Sequence, residues 1–121
     1  MPSEVNLAKT FFLISGILNA VFGAGWIVYT IIFGLFTCGI GCLFGFLPVI
    51  NILTSVLDFI AYTRLNNLDK TGTYNSIQFA SIFDIITFIT GNPVSGIFGI
   101  INIVNLNKDE FKNFLVERGI Y

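Results

Sequence analysis

The fold of this chain is decided by one uncharged stretch, TFFLISGILNAVFGAGWIVYTIIFGLFTCGIGCLFGFLPVINILTSVL, which runs from Thr10 to Leu57. A helix of roughly 20 apolar residues is enough to cross a hydrocarbon core of about 30 Å, so the stretch is long enough for two crossings. A helix on the surface of a soluble domain needs a polar face, and this stretch cannot supply one. The sequence therefore predicts a transmembrane hairpin, two helices joined by a turn.

The composition of the whole chain agrees with this interpretation. Of its 121 residues, 11% are charged, against about 25% in ordinary soluble proteins. The net charge of −1 offers no basic surface to nucleic acid. The chain has no His, so it lacks the commonest metal ligand and the usual general base near neutral pH. It also has no nucleophile elbow and no phosphate-binding glycine loop. We expect a non-enzymatic protein without cofactor or metal.

Two further apolar segments extend the hairpin to an all-α, polytopic membrane protein. We expect one domain of four transmembrane helices in two hairpins, at about residues 7–33, 42–65, 76–90 and 94–106. The first turn is expected in Gly34–Gly41, Asn75-Ser-Ile-Gln78 has the spacing of a capping box, and Gly91-Asn92-Pro93 is a turn signal. The third and fourth helices hold only about 15 apolar residues each, which is short for a full crossing. Local thinning of the bilayer, or shielding by neighbouring subunits, would accommodate them.

The tail at residues 107–121 has an amphipathic pattern. Phe111, Phe114, Leu115 and Arg118 fall at i, i+3, i+4 and i+7, with charged residues between them. This spacing predicts a helical extension lying at or near the membrane interface.

The basic residues predict the orientation. They precede the first span, lie between the second and third, and follow the fourth; they are Lys9, Arg64, Lys70, Lys108, Lys112 and Arg118. Because positively charged flanks remain in the cytoplasm, both termini and the loop Arg64–Asn75 are expected there.

Two carboxyl groups interrupt the apolar segments. Asp58 precedes Arg64 by six residues, about 9 Å along a helix, and Asp84 follows Asn75 by nine, about 13 Å. They could therefore lie at similar depths, and an ionisable residue within a membrane is a functional candidate. If they meet, one should keep its proton, because two negative charges at close range repel. Hydrogen bonding across the bundle, handling of ions or protons, and pairing with another protein are the alternatives.

A weak internal repeat adds two amides to this set. Shifting the second span by 44 positions lays Asp58 on Asn102 and Arg64 on Lys108. Two like-oriented hairpins would then be related by an axis along the membrane normal. Each helix carries one strongly polar residue in its cytoplasmic half, and together these residues predict an intramembrane polar layer of Asn19, Asp58, Asp84 and Asn102.

Small residues recur every four positions, a spacing that lets membrane helices approach closely. They can pack the bundle internally or form an oligomer interface. The helix-packing candidates are Gly16, Ala20, Ala24, Gly41, Gly45, Ser95 and Gly99.

The two cysteines, Cys38 and Cys42, lie in the middle of the uncharged stretch. A zinc site needs about four N or S ligands, and the chain supplies no others. A local disulfide is possible if the turn faces an oxidising compartment. Alternatively, they are two small apolar residues at a turn.

The glycine-rich hairpins, the short polar central loop and a last span that runs into Ile100-Ile-Asn-Ile-Val-Asn-Leu-Asn-Lys-Asp-Glu-Phe-Lys-Asn-Phe114 give the chain a familiar pattern. It resembles the small bacterial four-helix (tetraspan) membrane proteins of uncharacterised function. The resemblance covers most of the chain and implies a bacterial inner-membrane protein, but it transfers no activity and no site residue.

From these observations we expect a structural or accessory subunit in the lipid bilayer, which forms a homo-oligomer or packs on a larger membrane complex. A small channel or transporter, with Asp58 and Asp84 binding protons or cations, is the alternative. An assembly factor that binds a partner through its glycine faces is a third hypothesis.

Overall fold

A computed structural model of the chain describes residues 3–37 and 39–121, apart from the side chains of Gly41, Cys42 and Phe44. Within these residues the regular structure is helical and has no strand, which confirms the all-α prediction. The α-helices are α1 (Ser3–Phe36), α2 (Phe46–Asn67), α3 (Thr73–Ile86), α4 (Pro93–Leu106) and α5 (Asp109–Glu117), and 3-10 segments occupy Ile40–Gly45 and Thr87–Thr90.

The first four helices form a bundle of two hairpins. α1 packs along α2 and α3 along α4, while α2 also contacts α3 and α1 contacts α4. The two helices of the first hairpin run antiparallel, because Gly16 lies beside Phe59 and Gly23 beside Ile52. We call the end of the bundle that carries the basic residues the charged end. There the Lys108 ammonium lies 3.8 Å from the Glu4 carboxylate.

The first hairpin turns within the predicted stretch Gly34–Gly41, but its second helix begins later than expected. α1 continues to Phe36, a 3-10 segment follows, and α2 therefore begins at Phe46 and not near residue 42. Gly39 has a φ of +95°, a left-handed conformation that glycine adopts without steric cost. Cys38 and the side chain of Cys42 lie outside the described residues, and so do both alternatives for them, a local disulfide and two small apolar residues at a turn.

The second hairpin also begins at a different residue from the one predicted. α3 starts at Thr73 after Gly72, so the predicted capping box at Asn75 lies inside the helix. The N–H groups of Thr73 and Tyr74 donate to the carbonyls of Ile120 and Tyr121 at 3.1 and 3.3 Å. Because these acceptors come from the other end of the chain, no local sequence pattern reveals this cap.

A cluster of buried apolar side chains fills the interior near the charged end. The residues of this apolar cluster come from all five helices and the C-terminal segment; they are Val5, Ala8, Phe12, Ala61, Leu65, Ile77, Ala80, Leu106, Phe111, Phe114, Leu115 and Ile120. Three of them lie on α5. The bundle itself therefore covers the face of the tail that the sequence pattern assigned to a membrane interface.

The exterior carries the opposite pattern. Among the described residues, α1 and α2 are long and apolar enough to cross a membrane, and α4 is apolar but shorter. In the most apolar windows of α1 and α2, only 28% and 39% of the residues are buried. Most of the apolar side chains of these helices therefore face outward.

We expect Gly99→Ala to destabilise the α3–α4 contact. A Cβ at Gly99 would lie 2.6 Å from the Ser81 carbonyl oxygen and 2.8 Å from the Asp84 Cβ, and such overpacking costs about 1–3 kcal/mol. The measurement is the thermal unfolding midpoint in detergent.

The matched control for this substitution is Gly25→Ala. A Cβ at Gly25 meets no atom within 4 Å, and alanine is favoured over glycine inside a helix by roughly 0.5–1 kcal/mol. Equal midpoints for the two variants would contradict the close approach of α3 and α4 at Gly99.

Candidate functional site

A hydrogen-bonded polar cluster joins the four helices of the bundle, and the Asn19 side chain of α1 lies at its centre. The two N–H groups of Asn19 Nδ2 are shared among three acceptors, Asp58 Oδ2 of α2 at 3.0 Å, Asp84 Oδ1 of α3 at 3.3 Å and Ser95 Oγ of α4 at 3.0 Å. The Asn19 Oδ1 accepts from Asn92 Nδ2 at 3.1 Å. We call Asn19, Asp58, Asp84, Asn92 and Ser95 the polar cluster.

The turn of the second hairpin contributes Asn92 and Ser95. Gly91, with a φ of +78°, ends the preceding 3-10 segment, and Pro93 occupies the first turn of α4. Asn92 is the N-cap, and its side-chain oxygen accepts from Ser95 N at 3.3 Å. The Ser95 hydroxyl in turn donates to Asp84 Oδ1 at 2.9 Å. The positive end of the α4 dipole therefore lies beside a carboxyl group.

A second set of contacts anchors this turn to the first hairpin. The Trp26 indole Nε1 donates to the Thr90 carbonyl at 2.9 Å. The Thr90 hydroxyl donates to Asn51 Oδ1 at 3.1 Å. On the charged-end side of Asn19, the Ser55 hydroxyl donates to the Gly16 carbonyl at 2.8 Å. Polar contacts thus connect the two helices of the first hairpin as well as the two hairpins.

The electrostatic setting of the two carboxyl groups is unusual. Asp58 and Asp84 are both fully buried, and a carboxylate oxygen of each lies within 3.3 Å of the same atom, Asn19 Nδ2. All six Lys and Arg side chains are exposed or half-buried. Because two adjacent negative charges without a buried counter-charge are costly, the pair needs a shared proton, a bound cation or both.

The four residues of the predicted polar layer do not all meet. Asn19, Asp58 and Asp84 lie together, whereas Asn102 forms no hydrogen bond with them, although it is buried. The sequence interpretation did not assign Asn92, Asn51 or Thr90 to the site. An Asn directly before Pro93 is a typical N-cap, and this signal could have identified Asn92 as more than a turn residue.

The helix-packing candidates have different roles. Gly16 contacts the Phe59 ring and Gly99 contacts α3, whereas Ser95 serves in hydrogen bonding. Ala20 and Ala24 are exposed. Two small residues on the buried face of α1, Ser15 and Gly23, lie four positions before and four positions after Asn19.

At the Gly41–Gly45 pair, Gly45 does not pack inside the bundle, and the oligomer interface stays a prediction for this pair. A Cβ at Gly45 would meet no atom within 4 Å, because the pair belongs to a 3-10 segment and not to the body of α2. The packing around Gly41 lies outside the described part of the chain.

Comparison with protein-family models, curated proteins and solved structures returns no match. Among the described residues, no group of three or more His, Cys, Asp and Glu side chains could hold a metal ion. The chemistry that this geometry supports is cross-linking of helices by buried hydrogen bonds, together with the binding of a proton or of a singly charged cation.

We expect Asn19→Leu to lower the free energy of unfolding by about 2 kcal/mol or more. The substitution leaves buried polar groups on three other helices without their central partner, at about 1–3 kcal/mol for each unpaired group. Thermal unfolding in detergent measures the effect.

Asn113→Leu is the control for Asn19→Leu, because Asn113 is exposed on α5. An Asn19→Leu protein as stable as this control would show that the polar cluster does not hold the bundle together.

Proposed function

We propose that the chain is a non-enzymatic integral membrane protein, a structural or accessory subunit that self-associates or packs on a larger membrane complex. The observation that carries this proposal is the reversed distribution of polarity. Large apolar side chains are exposed on all four helices of the bundle, among them Ile17, Val21, Ile31, Val49, Val56, Phe79, Ile97 and Val104, while the polar cluster is buried. Lipid tails suit an exterior of apolar side chains, and buried polar contacts can hold helices together within lipid.

The charge distribution supports an orientation in this membrane. The basic residues share one end of the bundle, so the positive-inside rule assigns the charged end to the cytoplasm, with both termini. The bacterial inner membrane suggested by the resemblance agrees with this orientation.

In this proposal the four predicted membrane helices differ in how far they extend across the bilayer. α1 and α2 cross the membrane, and α3 and α4 form a shorter hairpin that enters from the cytoplasmic side. The turn of this hairpin contacts Trp26, whereas α1 continues for ten more residues to Phe36, about 15 Å further along its axis. The turn also directs Thr90 and Asn92 inward and exposes Phe88 and Ile89. This arrangement suits a turn that ends in hydrocarbon, where exposed polar groups are costly.

Cysteine labelling tests this topology. In a chain whose own cysteines are replaced by serine, an impermeant maleimide applied from the periplasmic side should label Gly39→Cys and leave Gly91→Cys unmodified. The two sites are matched, because both are exposed, have a positive φ and leave open space for a Cβ.

Asp69→Cys, in the exposed loop at the charged end, should react only from the cytoplasmic side. Equal labelling of Gly91→Cys and Gly39→Cys from the periplasmic side would contradict the short hairpin.

Self-association is supported by the small residues that the bundle does not use. Ala20 and Ala24 are one turn apart on the outside of α1, and this spacing permits close contact with another membrane helix. The contact would leave the polar cluster intact, because Asn19 is buried inside the bundle and not on this exposed face.

We expect Ala24→Leu to reduce the cross-linked oligomer in native membranes at least about threefold, since a clash in a packed interface costs about 1 kcal/mol or more. Val104→Leu, at an exposed site on α4, should cross-link like the parent chain. A parent chain that gives only monomer and no co-purifying protein would refute the proposal.

Small-cation or proton transport is the second candidate, and one observation favours it. Asp58 Oδ1 and Asp84 Oδ2 are buried without a hydrogen-bond partner, as expected for groups that bind an ion. Liposome flux that is unchanged in the Asp58→Asn, Asp84→Asn double variant would exclude this function.

A further inference from the structure

Unsatisfied polar atoms are concentrated in one part of the interior. Among the described residues, seven buried side-chain N and O atoms lack a hydrogen-bond partner, and six of them belong to Ser15, Asp58, Ser81, Asp84 and Asn102. Nearly all buried polar groups in native proteins have a hydrogen-bond partner. Several neighbouring polar groups without one therefore indicate a bound water or ion.

The helical register places these five residues on adjoining turns of the bundle. Ser15 lies one turn before Asn19 on α1, and Ser81 one turn before Asp84 on α3. Asn102 lies one turn after Gly99, whose backbone contacts both Ser81 and Asp84. The three uncharged side chains therefore lie just on the charged-end side of the polar cluster, adjoining Asp58 and Asp84.

The burial of these residues excludes bulk water as their partner. Ser15, Asp58, Ser81 and Asp84 are 0% exposed and Asn102 is 1% exposed. Asn102 is unpaired at both its amide oxygen and its amide nitrogen, although it shares the buried face of α4 with Ser95 and Gly99.

The charges of the site determine what it can hold. With one shared proton, the carboxyl pair would retain one negative charge, and among the described residues no basic side chain is buried near it to balance that charge. The remaining unsatisfied oxygens, two hydroxyls and one amide carbonyl, are neutral donors of the kind that hard cations prefer. One singly charged cation therefore makes the interior electrically neutral.

We propose that Ser15, Asp58, Ser81, Asp84 and Asn102 line a buried site for one small monovalent cation of the Na⁺ type. The site deepens the second candidate function, but binding does not require transport.

A cation in this site would connect all four helices of the bundle. Its ligands come from α1, α2, α3 and α4, so binding should stabilise the folded chain in proportion to the cation concentration. Trp26, the only tryptophan, is bonded to the second hairpin at Thr90. Its fluorescence therefore reports whether the two hairpins remain docked.

The test is equilibrium binding of ²²Na⁺ to the purified chain in detergent, with choline chloride keeping the ionic strength constant. We expect saturable binding of about one Na⁺ per chain, and a Trp26-monitored unfolding midpoint that rises with NaCl. Asp84→Asn should weaken Na⁺ binding about tenfold or more, as loss of a metal-site group does elsewhere.

Ser81→Ala separates cation binding from a merely structural role. Its hydroxyl has no partner in the protein, so the substitution should leave stability in choline unchanged or higher and yet weaken Na⁺ binding. Asp69→Asn removes an exposed carboxylate and should bind Na⁺ like the parent chain.

An unfolding midpoint that is equal in Na⁺ and choline, without saturable ²²Na⁺ binding, would overturn the proposal and leave buried water as the partner. Parent-like Na⁺ affinity in both Ser81→Ala and Asp84→Asn would also overturn it. The cross-linking and cysteine-labelling experiments do not depend on this result. They test the proposed self-association and topology whether or not Na⁺ binds.

Discussion

The Asn19 side chain is the constraint on which the bundle depends, because one amide bonds to side chains of all three other helices. Between helices in hydrocarbon, apolar packing gives little net driving force, since lipid tails are as apolar as leucine. Directional hydrogen bonds then fix which faces meet. Asn19 fixes the rotation of α1 relative to Asp58 of α2, and it also holds the second hairpin through Asp84, Asn92 and Ser95. A small side chain at the crossing of the helices therefore specifies much of the architecture.

The second hairpin is built to reach this amide. Its helices are short, and the turn between them is held by its own capping hydrogen bonds, with Asn92 capping α4. The polar side chains of a turn normally face water, but those of this turn are directed inward, toward Asn19 and Asn51. The same turn exposes apolar side chains on its outer side. The hairpin thus combines a lipid-compatible surface with a polar inner face, and the two carboxyl groups lie where this face meets the first hairpin.

At the charged end the stabilising interaction changes from hydrogen bonds to apolar packing. α5 folds over the ends of the helices, and its buried face closes the apolar cluster. The C-terminal carbonyls cap α3, so the last residues of the chain help to define where the third helix begins. Charged side chains surround this region, consistent with its proposed position in the cytoplasm. The interior of the bundle is therefore mainly apolar at the end that we expect to lie in water. It is mainly polar in the part that we expect lipid to surround.

Several features followed from composition and spacing alone: the helical class, two long apolar helices, a polar connection near Arg64–Asn75, the turn at Gly91-Asn92-Pro93 and the two carboxyl groups as candidates. These depend on the properties of single residues and on helical periodicity, which are local. The rotation of each helix is not local. Ala20 and Asn19 are neighbours in sequence, yet only the contacts with α2, α3 and α4 determine that Asn19 is buried and Ala20 exposed. The cap of α3 by the carbonyls of Ile120 and Tyr121, and the lack of a hydrogen bond between Asn102 and the polar cluster, were likewise decided by tertiary structure. The partners of these groups are set by packing between segments distant in sequence.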